Sequence, residues 1–451
     1  MNRRTFSRQL ATALGAVTLA RYAPRLHAMP PPTSRRAAPR INGERLNLHL
    51  RELSEFGKNP QGGVSRVGYT DADKLGREFA TRRMREAGLE VRVDTAGNII
   101  GRFAGSDPRL KPIMFGSHID SVPEGGNYDG TLGSLSAIES IQTLREQKLV
   151  TRHPLEVVIF QFEEGGLVGS RGMIGTLAER DLALVNWSGK TIKDGIAFIG
   201  GSVERLPEAK RASGDVAVYL ELHIEQGGTL EQRGLQVGIV QGIVGVYRWE
   251  VTVEGFANHA GTTAMPDRKD ALLAAARFID TVNRVVRSVP GRQVGTVGKI
   301  QVSPNTPNVI PGKVVVSLEL RDLDGNKVRT LHETIRRESE GIAQATGTTF
   351  RFDAISANEP ALTDARVRRA VGETAQELSL TSVELPSGAG HDAQSIARIA
   401  PMGMIFVPSV GGISHSPKEY THPADCVHGG NMLLNTILRL DQMDWSRSAP
   451  T

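Results

Sequence analysis

Apolar positions change period several times along the chain, and each change marks an element. Residues 41–55 carry them at helical spacing and 71–87 do so again, with Asp71 placed to cap the second helix. Residues 91–103 read as a strand pair with Gly97-Asn98 as the hairpin turn. Three continuous apolar runs come next, at 113–115, 155–162 and 216–222. Runs of that kind read as strands buried on both faces, as a parallel sheet requires. Each leads into a polar cluster: Ser117-His118-Ile119-Asp120, then Glu163-Glu164-Gly165-Gly166, then His223-Ile224-Glu225-Gln226-Gly227. The small-residue segment 132–141 reads as a helix after the first cluster. The three clusters therefore lie at similar ends of neighbouring strands, where open α/β sheets keep their ligands.

Between about 245 and 357 the pattern shifts. Residues 246–254 alternate, 270–289 are helical, 295–302 and 313–321 are strands, 327–346 is a second helix and 348–353 a last strand. That order, β-α-β-β-α-β, predicts a small split sandwich inserted into the first domain. From 361 onward helix and strand alternate again, with elements at 366–378, 395–399 and 402–407. The fold class is α/β: a mixed, mainly parallel sheet flanked by helices, interrupted by the inserted domain. The expected division is 41–244 and 358–445 for the first domain and 245–357 for the insert, with a hinge near Val244-Gly245 and Ala357.

Composition adds little to this, and charge adds one point. The 451 residues are 39% apolar and 23% charged, ordinary for a globular enzyme large enough for two domains. The formal charge of +5 becomes −3 once the eight arginines of residues 1–40 are set aside. The basicity is thus an N-terminal address, and no basic stripe interleaved with aromatics points to nucleic acid. Residues 1–28 read as a twin-arginine-type signal: Arg3-Arg4 and Phe6 at the start, a short weakly apolar middle, and Leu26-His27-Ala28 at the cleavage site. A linker occupies 29–40. The expected location is periplasmic or secreted, with no stable membrane association, since no stretch approaches the ~20 apolar residues of a span. Cys426 is the only cysteine, which excludes an internal disulfide.

The polar clusters supply the candidate chemistry. The His118 imidazole and the Asp129 carboxylate suit zinc or a similar divalent ion, and the glycines between them let the backbone converge. Asp120, two residues from His118, is placed to hold the other ring nitrogen. Glu163 and Glu164, adjacent after a buried run, are costly unless paired or coordinating; side by side they would face different environments, one for metal and one for a proton. His223 ends another buried run, where a core histidine is the plainer explanation. Spacing leaves a third histidine open among His391, His415, His422 and His428.

Nine ordered motifs narrow this reading. Gly116-Ser-His-Ile-Asp-Ser-Val, Asn127-Tyr-Asp-Gly, Glu163-Glu-Gly, Glu221-Leu-His-Ile-Glu-Gln-Gly, Ala257-Asn-His-Ala-Gly-Thr-Thr, Pro307-Asn-Val-Ile-Pro-Gly, Arg321-Asp, Ser387-Gly-Ala-Gly-His-Asp-Ala and Ile413-Ser-His-Ser-Pro-Lys-Glu are present. Together, over about 41–440, they resemble the hydantoinase/carbamoylase family of amidohydrolases, related to aminoacylases and dimetal exopeptidases. The resemblance implies two divalent ions per subunit, zinc, manganese or cobalt, held by His118, Asp129, Glu164, His223 and His415, with Asp129 between them. It implies Glu163 as general base and His259 as oxyanion donor reaching the partner of a homodimer formed through the inserted domain. It assigns substrate contacts to Arg321, Asn308 and His259, with Gln226, Gly390 and His391 lining the pocket, and Arg321 taking the carboxylate of a small-molecule substrate. The segment 165–170 is shorter than the family's usual form and should border that pocket. The implied activity is hydrolysis of a carbamoyl or ureido carbon–nitrogen bond, N-carbamoyl-L-amino acids first; allantoate-type, aminoacylase or dipeptidase activity are alternatives on the same scaffold, and an exported solute-binding protein is the non-enzymatic one.

Overall fold

The computed structural model describes residues 38–445; the predicted signal, and the linker up to residue 37, lie outside the described residues. The chain begins with helices Gly43–Ser54 and Asp71–Glu86. Thr70, not Asp71, caps the second: Thr70 is extended and its side chain accepts the Asp73 N–H, while Asp71 already belongs to the first turn. Asp73 reaches back to the Tyr69 N–H at 2.8 Å, so the two side chains close the helix start from both sides. Both Thr70 and Asp71 are capping types, and composition alone does not choose between them.

Strands β1 (Glu90–Val93), β2 (Ile99–Phe103), β3 (Ile113–His118), β4 (Leu155–Phe160), β5 (Val218–Ile224) and β6 (Val237–Ile243) open the first sheet. The β1–β2 turn is wider than Gly97-Asn98, running from Asp94 to Asn98, because the Asp94 carboxylate accepts the Asn98 N–H and Gly97 takes φ +93. The insert then contributes β7 (Gly245–Glu254), β8 (Asn258–His259), β9 (Val294–Thr296), β10 (Ile300–Ser303), β11 (Val309–Ile310), β12 (Lys313–Asp322) and β13 (Thr349–Asn358), which form a second sheet and a short ribbon. It returns to the first with β14 (Ala361–Leu362), β15 (Ser382–Ser387) and β16 (Met402–Val407).

Among the described residues the first sheet has nine strands in the order β1-β2-β4-β3-β5-β16-β6-β14, with β15 beside β6. It is parallel through β4-β3-β5-β16 and antiparallel across β1-β2-β4 and β16-β6-β14. All residues of β3, β4, β5 and β16 are buried, which is why they read as unbroken apolar runs. Helices Thr131–Glu146 and Pro423–Asp441 pack on each other and on this sheet. The first of them is almost wholly buried, and its small residues permit close approach: a Cβ on Gly133 would stand 2.1 Å from the Leu222 carbonyl oxygen. The element expected at 395–399 is a short helix, Asp392–Ile396, shifted towards His391.

The second sheet is antiparallel in the order β10-β12-β7-β13, with β9 on β12, and β8 and β11 form a separate ribbon. Helices Ala271–Ser288 and Gly325–Thr346, capped by Asp270 and Asp324, supply Phe278, Val282, Leu331 and Ile335 to its core with Val251, Val316 and Leu318. Each such side chain contributes roughly 1.5–3 kcal/mol on burial. The opposite face of β7 and β12 carries Arg248, Glu319 and Arg321, which turn towards the first sheet's loops. Among the described residues no helix is long and apolar enough to cross a membrane.

Candidate active site

His118 is the last residue of β3. Its Nδ1 lies 3.0 Å from the Asp120 backbone carbonyl, and a carbonyl only accepts, so Nδ1 carries the proton and Nε2 is the free lone pair. The carbonyl, rather than the Asp120 carboxylate at 3.7 Å, holds the ring. The expected role for Asp120 is thus corrected. Asp120 lies beyond the strand end, and its carboxylate turns to accept the Glu163 and Glu164 N–H groups at 3.2 and 3.3 Å. It anchors the acidic turn instead.

That turn sits two residues past the end of β4. Phe162 adopts φ +49 and packs its ring on Tyr69 at 4.6 Å, and Gly165 leaves room for the same ring. The reversal at Phe162 carries Glu163 and Glu164 to different neighbours. Glu163 Oε2 lies 3.9 Å from His118 Nε2, and Glu164 Oε2 lies 3.3 Å from His415 Nε2.

Asp129 stands between these neighbourhoods, with each of its oxygens facing one. Oδ1 lies 3.4 Å from His118 Nε2 and 3.1 Å from His223 Nε2; Oδ2 lies 3.4 Å from His415 Nε2. Gly130 is the next residue, with φ +60, and a Cβ there would stand 2.3 Å from the His118 ring. His223 Nδ1 is fixed by the Ile224 carbonyl at 2.9 Å, which again leaves Nε2 facing inward. The donors form two triads that share Asp129, His118–Asp129–His223 and Asp129–Glu164–His415, each with ligand atoms within 4.8 Å of one another.

Buried polar atoms without partners test whether this set suits metal. Among the described residues, His118 Nε2 and Glu164 Oε1 have no hydrogen-bond partner. Two unpaired ligand atoms in a buried cluster of histidines and carboxylates are expensive without a cation and natural with one. The set fits two divalent ions, one per triad. Burial tends to raise Asp129, but the His223, His118 and His415 rings gathered around its two oxygens hold it well below the usual carboxylate range. Burial pushes Glu163 well above that range, reinforced by Glu164 and opposed by His118. Neighbouring carboxyls pushed apart in this way suit one as ligand and the other as proton carrier.

Around the triads the backbone is strained at non-glycine positions: Leu167, Gln226 and His415 all have φ between +53 and +58. In that conformation Gln226 donates from Nε2 to Asp129 Oδ2 at 2.7 Å. His391 is buried against the His223 ring at 4.5 Å, with Nε2 2.8 Å from Ser387 Oγ. Burial and His223 hold it well below the usual imidazole range, so it is neutral. His422 is exposed at the start of the last helix, and half-buried His428 lies 3.4 Å from Asp425, both away from the triads.

One cleft contains Asp129, Glu163, Glu164, His415, Gly390 and Arg321. His223, Gln226, His391 and the Gly166-Leu167 turn also line it. Arg321 donates through Nε to Glu319 at 2.7 Å and through Nη1 to the Gly388 carbonyl at 2.7 Å, which ties β12 to the loop before His391. His259 and Asn308 are not among its lining residues. They sit together on the exposed β8–β11 ribbon, where the Ala260 N–H donates to the Asn308 carbonyl. His259 Nδ1 accepts the N–H groups of Gly261 and Thr262 at 3.0 and 3.2 Å, so its Nε2 carries the proton and points a donor outward.

Two supporting residues, Glu419 and Ser414, lie within the Ile413-Ser-His-Ser-Pro-Lys-Glu motif, which marks their positions but not what they do. Buried Glu419 accepts the N–H groups of Tyr128 and Asp129 at 2.9 and 3.0 Å, and Ser414 Oγ lies 2.8 Å from both Glu419 Oε2 and Asp129 Oδ2. Glu419 thereby sets the backbone from which Asp129 projects. It stands close after His415 in the chain, yet its partner lies 290 positions earlier.

Residues 114–439 match the family described as peptidase family M20/M25/M40. The chain is 42% identical over 407 residues to the N-carbamoyl-L-amino acid amidohydrolase of Geobacillus stearothermophilus, covering 89% of this chain and 99% of that protein. It is 37% identical over 398 residues to the allantoate amidohydrolase of Bacillus subtilis (strain 168), covering 87% and 96%. The crystal structure of an amidase of the hydantoinase/carbamoylase family from Burkholderia multivorans superposes with a TM-score of 0.82 at 37% identity, covering 89% of this chain and 98% of that one. The chain belongs to this M20-related hydantoinase/carbamoylase family of amidohydrolases. It is a hydrolase that acts on carbon–nitrogen bonds.

Proposed function

We propose that this enzyme cleaves the carbamoyl or ureido carbon–nitrogen bond of a small carboxylate substrate, with N-carbamoyl-L-amino acids as the leading class. The observation that carries the reading is Asp129, whose two oxygens face two separate donor sets while Glu163 and Arg321 share its cleft. Zinc, manganese and cobalt all accept these ligands. Such ions, when bound, polarise the scissile carbonyl and lower the pKa of water to near neutrality.

The protein's own residues do the rest. Glu163, whose proton affinity burial raises, receives the proton of the attacking water and returns it to the leaving nitrogen. Arg321 presents a planar guanidinium to the substrate carboxylate, which fixes the ureido group over the triads. Cleavage of an N-carbamoyl-L-amino acid with one water then yields amino acid, ammonia and carbon dioxide.

His259 and Asn308 complete the site from a second copy in this reading, which their exposure and their absence from the cleft of their own chain support. His259 would donate from Nε2 to the developing oxyanion. The dimer would form through residues 245–357, and residues 1–28 would export the enzyme. The B. subtilis relative makes allantoate a second candidate substrate on the same donors.

The test is ammonia and amino-acid release by the protein from Met29 onward, reloaded with zinc or manganese. The panel is N-carbamoyl-L-amino acids, allantoate, N-acetyl amino acids and dipeptides, with Glu163→Gln as control. Ammonia from a ureido substrate, lost in the variant with metal retained, is expected. Release only from acyl or peptide substrates would reject the proposal, and no turnover of any kind would favour a binding protein.

A further inference from the structure

Away from the metal residues, five arginines among the described residues line the cleft against two carboxylates, Asp181 and Glu359. Asp181 offsets one of the five, Arg171, at 2.5 Å, and Glu359 is engaged by Arg329 at 2.9 Å, which leaves four lining arginines without a lining carboxylate of their own. The acids of the two triads do not offset the arginines, because they answer to the cations they would hold. The cleft is therefore left with positive charge in excess of its free carboxylates.

Two of the arginines have an arrangement that makes this specific. Glu319 on β12 is the cross-strand partner of Arg248 on β7 and lies two residues before Arg321, so all three occupy one face of the sheet. Glu319 Oε2 accepts Arg248 Nε at 2.6 Å, and Oε1 accepts Arg321 Nε at 2.7 Å. One carboxylate thus holds two guanidiniums, each by its Nε edge. Arg321 commits a further nitrogen to the Gly388 carbonyl. Among the described residues Arg248 is held at Nε by Glu319 alone, which leaves both terminal nitrogens as a fork for an anion.

We infer that Arg248 receives a second acidic group of the substrate, so that the preferred substrate is a ureido derivative of an acidic amino acid. The inference rests on the proposed function only in placing the first carboxylate at Arg321. Positions 248 and 321 are diagonal neighbours across β7 and β12, a relation that puts Cα atoms about 7–8 Å apart. Flexible arginine side chains from such positions converge on two carboxylates separated by two or three carbons. Glu319 is the positioning residue that keeps both guanidiniums turned to the cleft.

The experiment compares kcat/KM of the metal-loaded protein for N-carbamoyl-L-aspartate and N-carbamoyl-L-glutamate with that for the side-chain amides, N-carbamoyl-L-asparagine and N-carbamoyl-L-glutamine. Amide and acid match in shape and differ in charge. Arg248 is half-exposed, so the wild-type preference for acid over amide is expected at about tenfold or more rather than the much larger ratios of enclosed sites. Arg248→Gln should bring that ratio close to one, and Arg248→Lys should keep part of it. Equal rates on acid and amide in the wild type, or a variant that lowers both alike, would overturn the assignment.

Calorimetric binding of glutarate against its monoamide, glutaramate, reads the same recognition without turnover. If no ureido substrate is hydrolysed, the proposed function fails, while tighter binding of glutarate that depends on Arg248 upholds this inference. Equal binding of the two overturns it.

Discussion

The two walls of the cleft are made by opposite means. On the first sheet, buried parallel strands end together and the ligands are held from behind: His118 by the Asp120 carbonyl, His223 by the Ile224 carbonyl, and the Asp129 backbone by the Glu419 carboxylate. On the second sheet the functional face is open to solvent, and its arginines are held by one shared side chain, Glu319. The first wall uses burial and strained turns to fix a donor geometry, as metal chemistry requires. The second holds its guanidiniums nearer the surface, an arrangement that suits the anionic ligand proposed above. Changes to the first wall should therefore fall on metal content and kcat, and changes to the second on KM.

The sharpest way to break that contrast is at the shared ligand. Asp129→Asn removes the charge that both oxygens share and should lower kcat by about 1000-fold or more while emptying at least one triad, read by metal analysis beside ammonia release. Glu419→Gln keeps every ligand but weakens the support of the Asp129 backbone. It should reduce metal affinity by about 10–100-fold, measured by competition with a chelator of known affinity. On the other wall, Arg321→Gln should raise KM about 10–100-fold with a much smaller loss of kcat and no change in metal content. Thr70→Ala, remote from both walls, should cost about 1 kcal/mol in denaturant unfolding of the metal-loaded protein and leave kcat and KM alone. If Arg321→Gln emptied the metal site, or Glu419→Gln acted on KM alone, the contrast would be wrong.

The first wall is largely legible in the sequence, for a physical reason. Strands buried on both faces leave unbroken apolar runs, and the residues after each run must lie at the strand's end. The chain's pattern alone therefore places His118, the Glu163-Glu164 pair and His223 together. The choice among the C-terminal histidines cannot be made from spacing and comes from the family resemblance. The structure sets His415 beside Asp129 and Glu164 and puts His391 behind His223. Roles that depend on backbone atoms stay hidden, because no side-chain pattern reports them. Asp120 offers a ring-holding carbonyl and a turn-holding carboxylate, whereas its spacing from His118 points only to the side chain. Glu419 acts on N–H groups far away in sequence. The second wall is less legible still: that Arg248 and Arg321 share Glu319 is a consequence of the β7–β12 register, which alternation alone does not fix.

Asp129, facing two donor sets at once, is the residue on which the proposed chemistry turns. The measurement that tests it is a titration of the chelator-stripped protein with zinc or manganese, counting bound ions per chain while ammonia release from an N-carbamoyl-L-amino acid is followed in the same samples. Two ions per chain, with full activity reached only as the second site fills, is the predicted result. Saturation at a single ion with full activity would contradict it.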